Sequence, residues 1–180
     1  MRIPVVLGTA REGRQSEKVA NFILEEVKKV GLETELIDVR DYRIAATNNT
    51  EEIPEAQKLS PKFDLADAFI IVAPEYNHGY PGELKMFLDM LYDQYAKKPV
   101  GLCGVSRGAL GGARVVEQLR LVAAELHMVS IREALYFPTV QNLFDENGKI
   151  KDGDSYKDRV KNFLDELIWY AGALAKARSK

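Results

Sequence analysis

Residues 3–30, IPVVLGTAREGRQSEKVANFILEEVKKV, contain the pattern that decides the fold of this chain. The apolar run at 3–7 has the composition of a strand buried on both faces, and it ends at a glycine-containing loop, residues 8–16. In the segment that follows, residues 17–30, apolar side chains recur at helical spacing on one stripe: Val19, Ile23, Val27 and Val30. The stretch therefore predicts a strand, a loop and a helix in that order.

The rest of the chain repeats this alternation. Further strands are predicted at residues 33–39, 68–73, 99–105 and 128–136, and further helices at residues 83–95, 111–126 and 156–177. Residues 40–62 are polar and contain two prolines, so they predict a long connection with at most one helical turn. Strands that alternate with helices predict a doubly wound α/β sheet, here in one domain spanning 1–180.

Composition limits the class of protein. With 180 residues, 46% of them apolar, the chain is long enough for one core. A net charge of −2 provides no general attraction to nucleic acid or to an anionic membrane, so we expect small molecules or proteins as partners. The apolar run at 3–7 is too short for a signal peptide or a membrane span, and the single cysteine, Cys103, agrees with a reducing compartment. We expect a cytoplasmic protein.

The spacing from Gly8 to Gly13 is that of the phosphate-binding loop of nucleoside triphosphatases. That loop requires a lysine and then a serine or threonine after its second glycine, to reach the outer phosphates and to bind magnesium. Here Arg14 and Gln15 stand at those positions. The sequence therefore disfavours triphosphate chemistry. The glycine-rich segment near residue 106 likewise lacks the spacing of a dinucleotide fold.

The first loop still has the features of an anion site. The first turn of a helix has N–H groups without intrahelical partners, and these favour a bound anion. Thr9 and Ser16 add hydroxyl groups, and Arg11 and Arg14 can offset the charge of a phosphate monoester without a metal ion. The same residues are also compatible with an ordinary capped helix start that carries two solvated arginines.

Two further loops follow buried strands. Residues 74–82, PEYNHGYPG, contain two prolines and two glycines that hold the backbone in fixed directions, and Tyr76 and Tyr80 can pack beside a planar ring. A helix-entry loop with tyrosines in a subunit contact is the alternative. Residues 106–112, SRGALGG, are small enough for a bulky ligand to approach the backbone, although such a turn is equally compatible with a structural role. In parallel sheets, loops at the carboxyl ends of the strands form the binding site.

Three segments, GTAREGRQSEKVA, PEYNHGYPGELKMFLD and GVSRGALGGARVVEQLR, together resemble the NADPH-dependent FMN reductase family. The resemblance extends from residue 3 to about residue 138 and more weakly through the last helix, and the second segment is its most specific part. It implies a flavodoxin-like three-layer sandwich with a five-stranded parallel sheet in the order 2-1-3-4-5. It also implies bound FMN, NAD(P)H as electron donor, and a homodimer or homotetramer.

The resemblance also implies residues for each part of FMN. The phosphate would lie against Thr9, Arg11, Arg14, Gln15 and Ser16. The isoalloxazine ring would lie along Pro74, Glu75, Tyr76 and Asn77, with Ser106 and Gly108 beside it. No role follows for His78.

The implied reaction moves two electrons from NAD(P)H through FMN to a quinone, an azo compound, a flavin or a similar small acceptor, in a ping-pong order. It requires no catalytic side chain, since the flavin carries the chemistry. Two other functions remain open: a non-catalytic electron carrier of the flavodoxin type and a flavin-binding sensor. The near-neutral charge and the arginines of the loops favour the reductase over the carrier.

Overall fold

The computed structural model describes residues 1–46 and 52–179 and contains one five-stranded parallel sheet in the order β2-β1-β3-β4-β5. The strands are β1 (Val5–Leu7), β2 (Leu36–Asp38), β3 (Phe69–Pro74), β4 (Pro99–Val105) and β5 (Val129–Phe137). All five coincide with predicted strands, and the predicted strand order is confirmed. The observed β1 and β2 are shorter than their apolar patterns.

Six α-helices are described: α1 (Ser16–Lys29), α2 (Pro54–Asp64), α3 (Gly82–Leu88), α4 (Ala113–Glu125), α5 (Val140–Leu143) and α6 (Gly153–Arg178). Two short 3₁₀ segments lie at Val39–Tyr42 and Asp93–Tyr95. None of the helices in the described part of the chain is long and apolar enough to cross a membrane.

The helices cover both faces of the sheet, as expected for a doubly wound fold. Side chains of α1 and α6 pack on one face, and side chains of α2, α3 and α4 pack on the other. Alternate residues of β1 point to opposite faces, so that Val5 and Leu7 contact the α1 and α6 layer while Val6 contacts the other layer. Because both faces are covered, the central strands are apolar throughout.

Two predictions about the connections were wrong. Residues 40–62 were expected to form mainly a loop, but Pro54–Asp64 is a helix with Pro54 in its first turn, where proline is well tolerated. Its Ala56, Leu59 and Phe63 are buried in the core, and this burial stabilises the helix despite Pro61.

The second wrong prediction concerns the helix expected at 83–95. This helix ends at Leu88, and a 3₁₀ segment follows at Asp93–Tyr95. Tyr95 is nevertheless buried, with its ring centroid 5.6 Å from those of both Phe63 and Phe69. The apolar spacing correctly identified buried residues but not the residue at which the helix ends.

The strand order reverses beside β1, which lies between β2 and β3. The loops that leave β1 and β3 therefore pass to opposite faces of the sheet and leave a crevice at the carboxyl edge. The loop that leaves β4 borders the same edge, since β4 pairs with β3 in parallel. All three loops singled out in the sequence thus converge there.

Candidate functional site

A cavity of about 840 Å³ lies at this edge of the sheet, within the size range of small-molecule sites. Ten of the eleven predicted site residues line it: Arg11, Arg14, Gln15, Ser16, Pro74, Glu75, Tyr76, Asn77, Ser106 and Gly108. The eleventh, Thr9, is fully buried behind the cavity wall. The cavity also contains residues that were not singled out as cofactor contacts, among them Arg107, Arg114 and Gln141.

The start of α1 faces this cavity without a side-chain cap. Gln15 occupies the N-cap position, and its side chain makes no capping hydrogen bond. The hydroxyl group of Ser16, the first residue of the helix, is buried and has no hydrogen-bond partner among the residues that the structure describes. Since buried hydroxyl groups are normally satisfied, this unpartnered group beside free helix N–H groups indicates a place for a ligand acceptor.

Arg14 does not extend freely into the cavity. Its side chain is only 2% exposed, and its guanidinium group donates to the Thr9 carbonyl at 2.5 Å and to both carboxylate oxygens of Asp38. It also donates to Glu17 at 3.3 Å. These contacts engage the group that was expected to meet a phosphate, so Arg14 lines the cavity mainly as part of its wall.

The hydroxyl group of Thr9 is engaged as well. It donates to the Glu83 carboxylate at 3.1 Å and lies 3.1 Å from the hydroxyl group of Tyr76. Thr9 therefore joins the first loop to the second instead of lining the cavity.

Arg11 is the arginine of the first loop whose charge is available to a bound anion. It is exposed at the cavity and forms no ion pair with a carboxylate in the parts of the chain described. Its guanidinium carbon lies 5.8 Å from the ring centroid of Tyr76, on the second loop. The first loop therefore presents one free guanidinium group and one helix N-terminus to the cavity.

Glu83, at the start of α3, is a residue of the site that the sequence did not reveal. Its carboxylate accepts hydrogen bonds from the Thr9 hydroxyl and from the Ala10 N–H, the latter at 3.0 Å. Burial alone would raise the pKa of Glu83. Hydrogen bonds from backbone N–H groups and from Thr9, together with the charge of Arg43, outweigh burial and lower that pKa.

The charge of Glu83 is expected to stabilise the fold near neutral pH. A carboxyl group with a lowered folded-state pKa contributes stability above its unfolded pKa and loses that contribution as the pH falls. Glu83→Gln keeps an acceptor oxygen and removes the charge, so we expect it to lower the free energy of unfolding by about 1 kcal/mol near neutral pH. The difference from the wild type should shrink below about pH 4. Urea unfolding at both pH values measures it, and a difference that grew in acid would contradict the assignment.

The second loop folds back on itself through a tight turn. The N–H and carbonyl groups of Tyr76 and Gly79 exchange hydrogen bonds of 2.9 Å, and the two residues between them have φ of +50° at Asn77 and +67° at His78. Asparagine tolerates the left-handed region better than most residues do. The carbonyl of His78 accepts a hydrogen bond from the side chain of Gln118 at 2.9 Å.

Glu75 is bound by a residue of α4. Its carboxylate accepts hydrogen bonds from the guanidinium group of Arg114 at 2.8 Å and from the Arg114 N–H at 3.2 Å. Its own N–H donates to the carbonyl of Val105 at 2.8 Å. The start of the second loop is therefore tied to both β4 and α4 before any ligand binds.

The third loop is held in place by hydrogen bonds within the loop and from the residues after β5. The Ser106 hydroxyl donates to the Gly108 carbonyl at 2.9 Å, and the Thr139 N–H donates to the same carbonyl at 3.2 Å. The loop ends at Gly111 and Gly112, both in the left-handed region, with φ of +62° and +86°. Ser106 and Gly108 reach the cavity as expected, although the hydroxyl group of Ser106 already has an acceptor.

These observations describe a flavodoxin-like α/β protein whose first helix begins at the cavity without a side-chain cap. The unpartnered hydroxyl of Ser16, the free charge of Arg11 and the size of the cavity fit the phosphate and the ring of a mononucleotide. The chain belongs to the NADPH-dependent FMN reductase family, whose model matches residues 1–142. It is therefore an FMN-dependent oxidoreductase that takes electrons from NAD(P)H.

The chain is similar to two curated relatives and, in fold, to one solved structure. The 2-hydroxy-1,4-benzoquinone reductase of a Burkholderia species is 28% identical over 173 residues, which cover 92% of this chain and 93% of the relative. The FMN-dependent NADPH-azoreductase of Staphylococcus aureus is 27% identical over 173 residues and covers 91% and 92%. The flavoenzyme NAD(P)H:(acceptor) oxidoreductase of Paracoccus denitrificans has a TM-score of 0.79 at 22% identity, with 94% and 98% covered.

Proposed function

We propose that this protein transfers two electrons from NAD(P)H to a small conjugated acceptor, a quinone, an azo compound or a flavin, in a ping-pong order. The observation that carries this proposal is the cavity that all three loops line together with Ser16, whose hydroxyl group is unpartnered among the described residues. One cavity that must admit both the donor and the acceptor favours binding in turn, with the first product leaving before the second substrate enters.

In this proposal the first loop holds the FMN phosphate. The N–H groups at the start of α1 and the Ser16 hydroxyl donate to it, and Arg11 offsets its charge. Gln15 lies beside these groups at the N-cap. Thr9, behind the cavity wall, and Arg14, within that wall, contribute through contacts that hold the loop in shape.

The second and third loops hold the ring. Pro74, Glu75, Tyr76 and Asn77 provide one edge of the cavity, and Ser106 and Gly108 provide another. When bound, FMN supplies the hydride and electron chemistry, and the protein supplies orientation and electrostatics. Backbone N–H groups of the tight turn near Asn77 are held in fixed directions and can stabilise negative charge on a bound ring without reorganising.

The relatives support the class of acceptor. One is a benzoquinone reductase and another is an azoreductase, and both substrates are planar and conjugated. The cavity is lined by exposed Leu110, partly buried Tyr76 and Arg107, a combination of apolar surface and positive charge that suits such acceptors. We also propose that the protein is a cytoplasmic homodimer or homotetramer, as the resemblance to the family implies.

Steady-state kinetics of the FMN-loaded protein test the reaction. Rates measured at several NADPH and benzoquinone concentrations are expected to give parallel double-reciprocal lines. Intersecting lines would contradict the ping-pong order. Flavin that bleaches with NADPH but is not reoxidised by a quinone or an azo dye would contradict the acceptor class, and flavin that NADPH does not bleach would favour the sensor. Light scattering measures the oligomeric state.

Ser16→Ala should have opposite effects on the free and the loaded protein. An unpartnered buried hydroxyl destabilises the FMN-free fold, so the variant without FMN is expected to be as stable as wild type or up to about 1 kcal/mol more stable. Loss of one donor to the phosphate should raise the FMN Kd about fivefold to tenfold. Urea unfolding and flavin fluorescence titration measure the two effects.

Ser155→Ala, at the start of α6 and remote from the cavity, is the matched control and should leave the FMN Kd unchanged. A Ser16→Ala variant with unchanged FMN affinity would remove this hydroxyl from the site.

A further inference from the structure

Two arginines bind three consecutive carbonyl groups of the first loop. The guanidinium group of Arg14 donates to the carbonyl of Thr9 at 2.5 Å. That of Arg40 donates to the carbonyl of Ala10 at 3.0 Å and also to the carbonyl of Arg11. Arg40 lies in the 3₁₀ segment after β2, outside the loop, so the loop's carbonyls face these arginines.

Asp38 holds both arginines in place. As the last residue of β2 it pairs in register with Leu7, directly before the loop. Its carboxylate accepts two hydrogen bonds from the Arg14 guanidinium, one of them at 2.7 Å, and one from the Arg40 backbone N–H at 3.0 Å. One carboxylate thus binds the Arg14 guanidinium group directly and anchors the backbone of Arg40, whose guanidinium group binds the other two carbonyls.

Fixing the carbonyl groups also fixes the N–H groups. In a planar trans peptide the N–H of the next residue points opposite to the carbonyl, so the N–H groups of Ala10, Arg11 and Glu12 point away from the two arginines. The Ala10 N–H donates to Glu83 at 3.0 Å and the Arg11 N–H donates to the Thr9 hydroxyl at 3.3 Å. Glu12 lines the cavity. The loop is therefore held between Asp38 on one side and Glu83 on the other.

We propose that Asp38 is a positioning residue for the FMN phosphate. It does not reach the phosphate itself. Acting through Arg14 and Arg40, it holds the peptide groups of the first loop in the orientation that the phosphate requires, so that binding does not have to order them. This inference rests on the proposed function in one respect, namely that the phosphate occupies the first loop.

The test compares FMN with riboflavin, which has the same ring system and no phosphate. Asp38→Asn keeps the size of the side chain and weakens its hold on both arginines. We expect the FMN Kd to rise about tenfold and the riboflavin Kd to stay close to the wild-type value, as measured by flavin fluorescence titration. A general loosening of the fold would weaken both ligands alike, so the difference between them identifies a positioning role.

Glu35→Gln is the matched control. Glu35 also lies next to β2 and also pairs with two cations, Arg2 and Lys62, but it does not contact the first loop. It should leave both Kd values unchanged. If Asp38→Asn does not fold, Arg40→Ala tests the same contacts, since Arg40 lies in the partly buried 3₁₀ segment. This variant should raise the FMN Kd and leave the riboflavin Kd unchanged.

The outcomes separate the two proposals. Wild-type protein that binds FMN and riboflavin equally would contradict the phosphate site itself. Wild-type protein that prefers FMN, together with an Asp38→Asn variant that keeps this preference, would overturn only the positioning role. An Asp38→Asn variant in which the FMN Kd and the riboflavin Kd rise equally would overturn the positioning role as well.

Discussion

Replacing Gly104 with alanine is expected to lower the free energy of unfolding by about 3 kcal/mol. A Cβ atom at this position in β4 would lie 2.5 Å from the carbonyl oxygen of Gly112 and 2.9 Å from that of Gly111. These neighbours are backbone atoms, which cannot move aside as the end of a flexible side chain can. The strand and the third loop would therefore have to separate.

The third loop cannot easily move away from β4. Gly111 and Gly112 are already in the left-handed region, and the Gly111 carbonyl accepts a hydrogen bond from the Phe137 N–H at 3.2 Å. The contact is also reciprocal, since a Cβ atom on Gly112 would lie 2.4 Å from the nitrogen of Val105. Strain of this kind comes in addition to the ordinary cost of overpacking.

Gly172→Ala is the matched control for Gly104→Ala. Gly172 lies inside α6, and a Cβ atom there would meet nothing within 4 Å. Since alanine has a higher helix propensity than glycine, this substitution should stabilise the protein by about 0.5–1 kcal/mol. Urea unfolding of the FMN-free protein measures both variants. If the free energy of unfolding of Gly104→Ala lay within about 1 kcal/mol of the wild-type value, the third loop would be able to move away from β4.

Much of the fold could be predicted because central parallel strands are apolar on both faces. Such strands appear as uninterrupted runs, as at 68–73 and 99–105, and both runs are strands. The helix at Pro54–Asp64 was missed because its prolines were interpreted as marks of a loop. Its stability comes from burying Leu59 and Phe63 against residues far away in the chain, and a local pattern does not show this.

The candidate site, too, could be predicted from the sequence only in part. Loops at the carboxyl ends of parallel strands must meet, so the sequence could identify ten of the residues that line the cavity. The side chains that fix those loops could not be found in this way. Asp38, Arg40, Glu83 and Arg114 lie 24 to 74 residues along the chain from the loop residues that they bind. The position of Asp38 at the carboxyl end of a strand next to β1 was a signal that could have indicated it.

Arg14 shows why residue type alone is not enough to assign a role. The sequence placed Arg11 and Arg14 together on the phosphate as equivalent cations. The fold separates them, because Asp38 lies within reach of one and not of the other. Arg14 becomes part of the wall, and the electrostatic attraction of the first loop for an anion falls mainly to Arg11.

Arg11→Ala is therefore expected to raise the FMN Kd by about tenfold to a hundredfold, the second largest effect we predict. A charge-assisted hydrogen bond to phosphate contributes about 1.5–3 kcal/mol, and the described residues contain no carboxylate that pairs with Arg11 and would reduce that contribution. The riboflavin Kd should change little, since riboflavin has no phosphate. Flavin fluorescence titration of the purified variant measures both ligands.

Two further variants show whether the loss reflects position or charge. Arg11→Lys keeps the charge without the paired donors of a guanidinium group, so its FMN Kd should lie between those of wild type and Arg11→Ala. Arg107→Ala removes an arginine from the same cavity but from the third loop, and it should leave the preference for FMN over riboflavin intact. If Arg107→Ala abolished that preference and Arg11→Ala did not, the phosphate would belong at the third loop. The start of α1 would then need another explanation for its unpartnered serine.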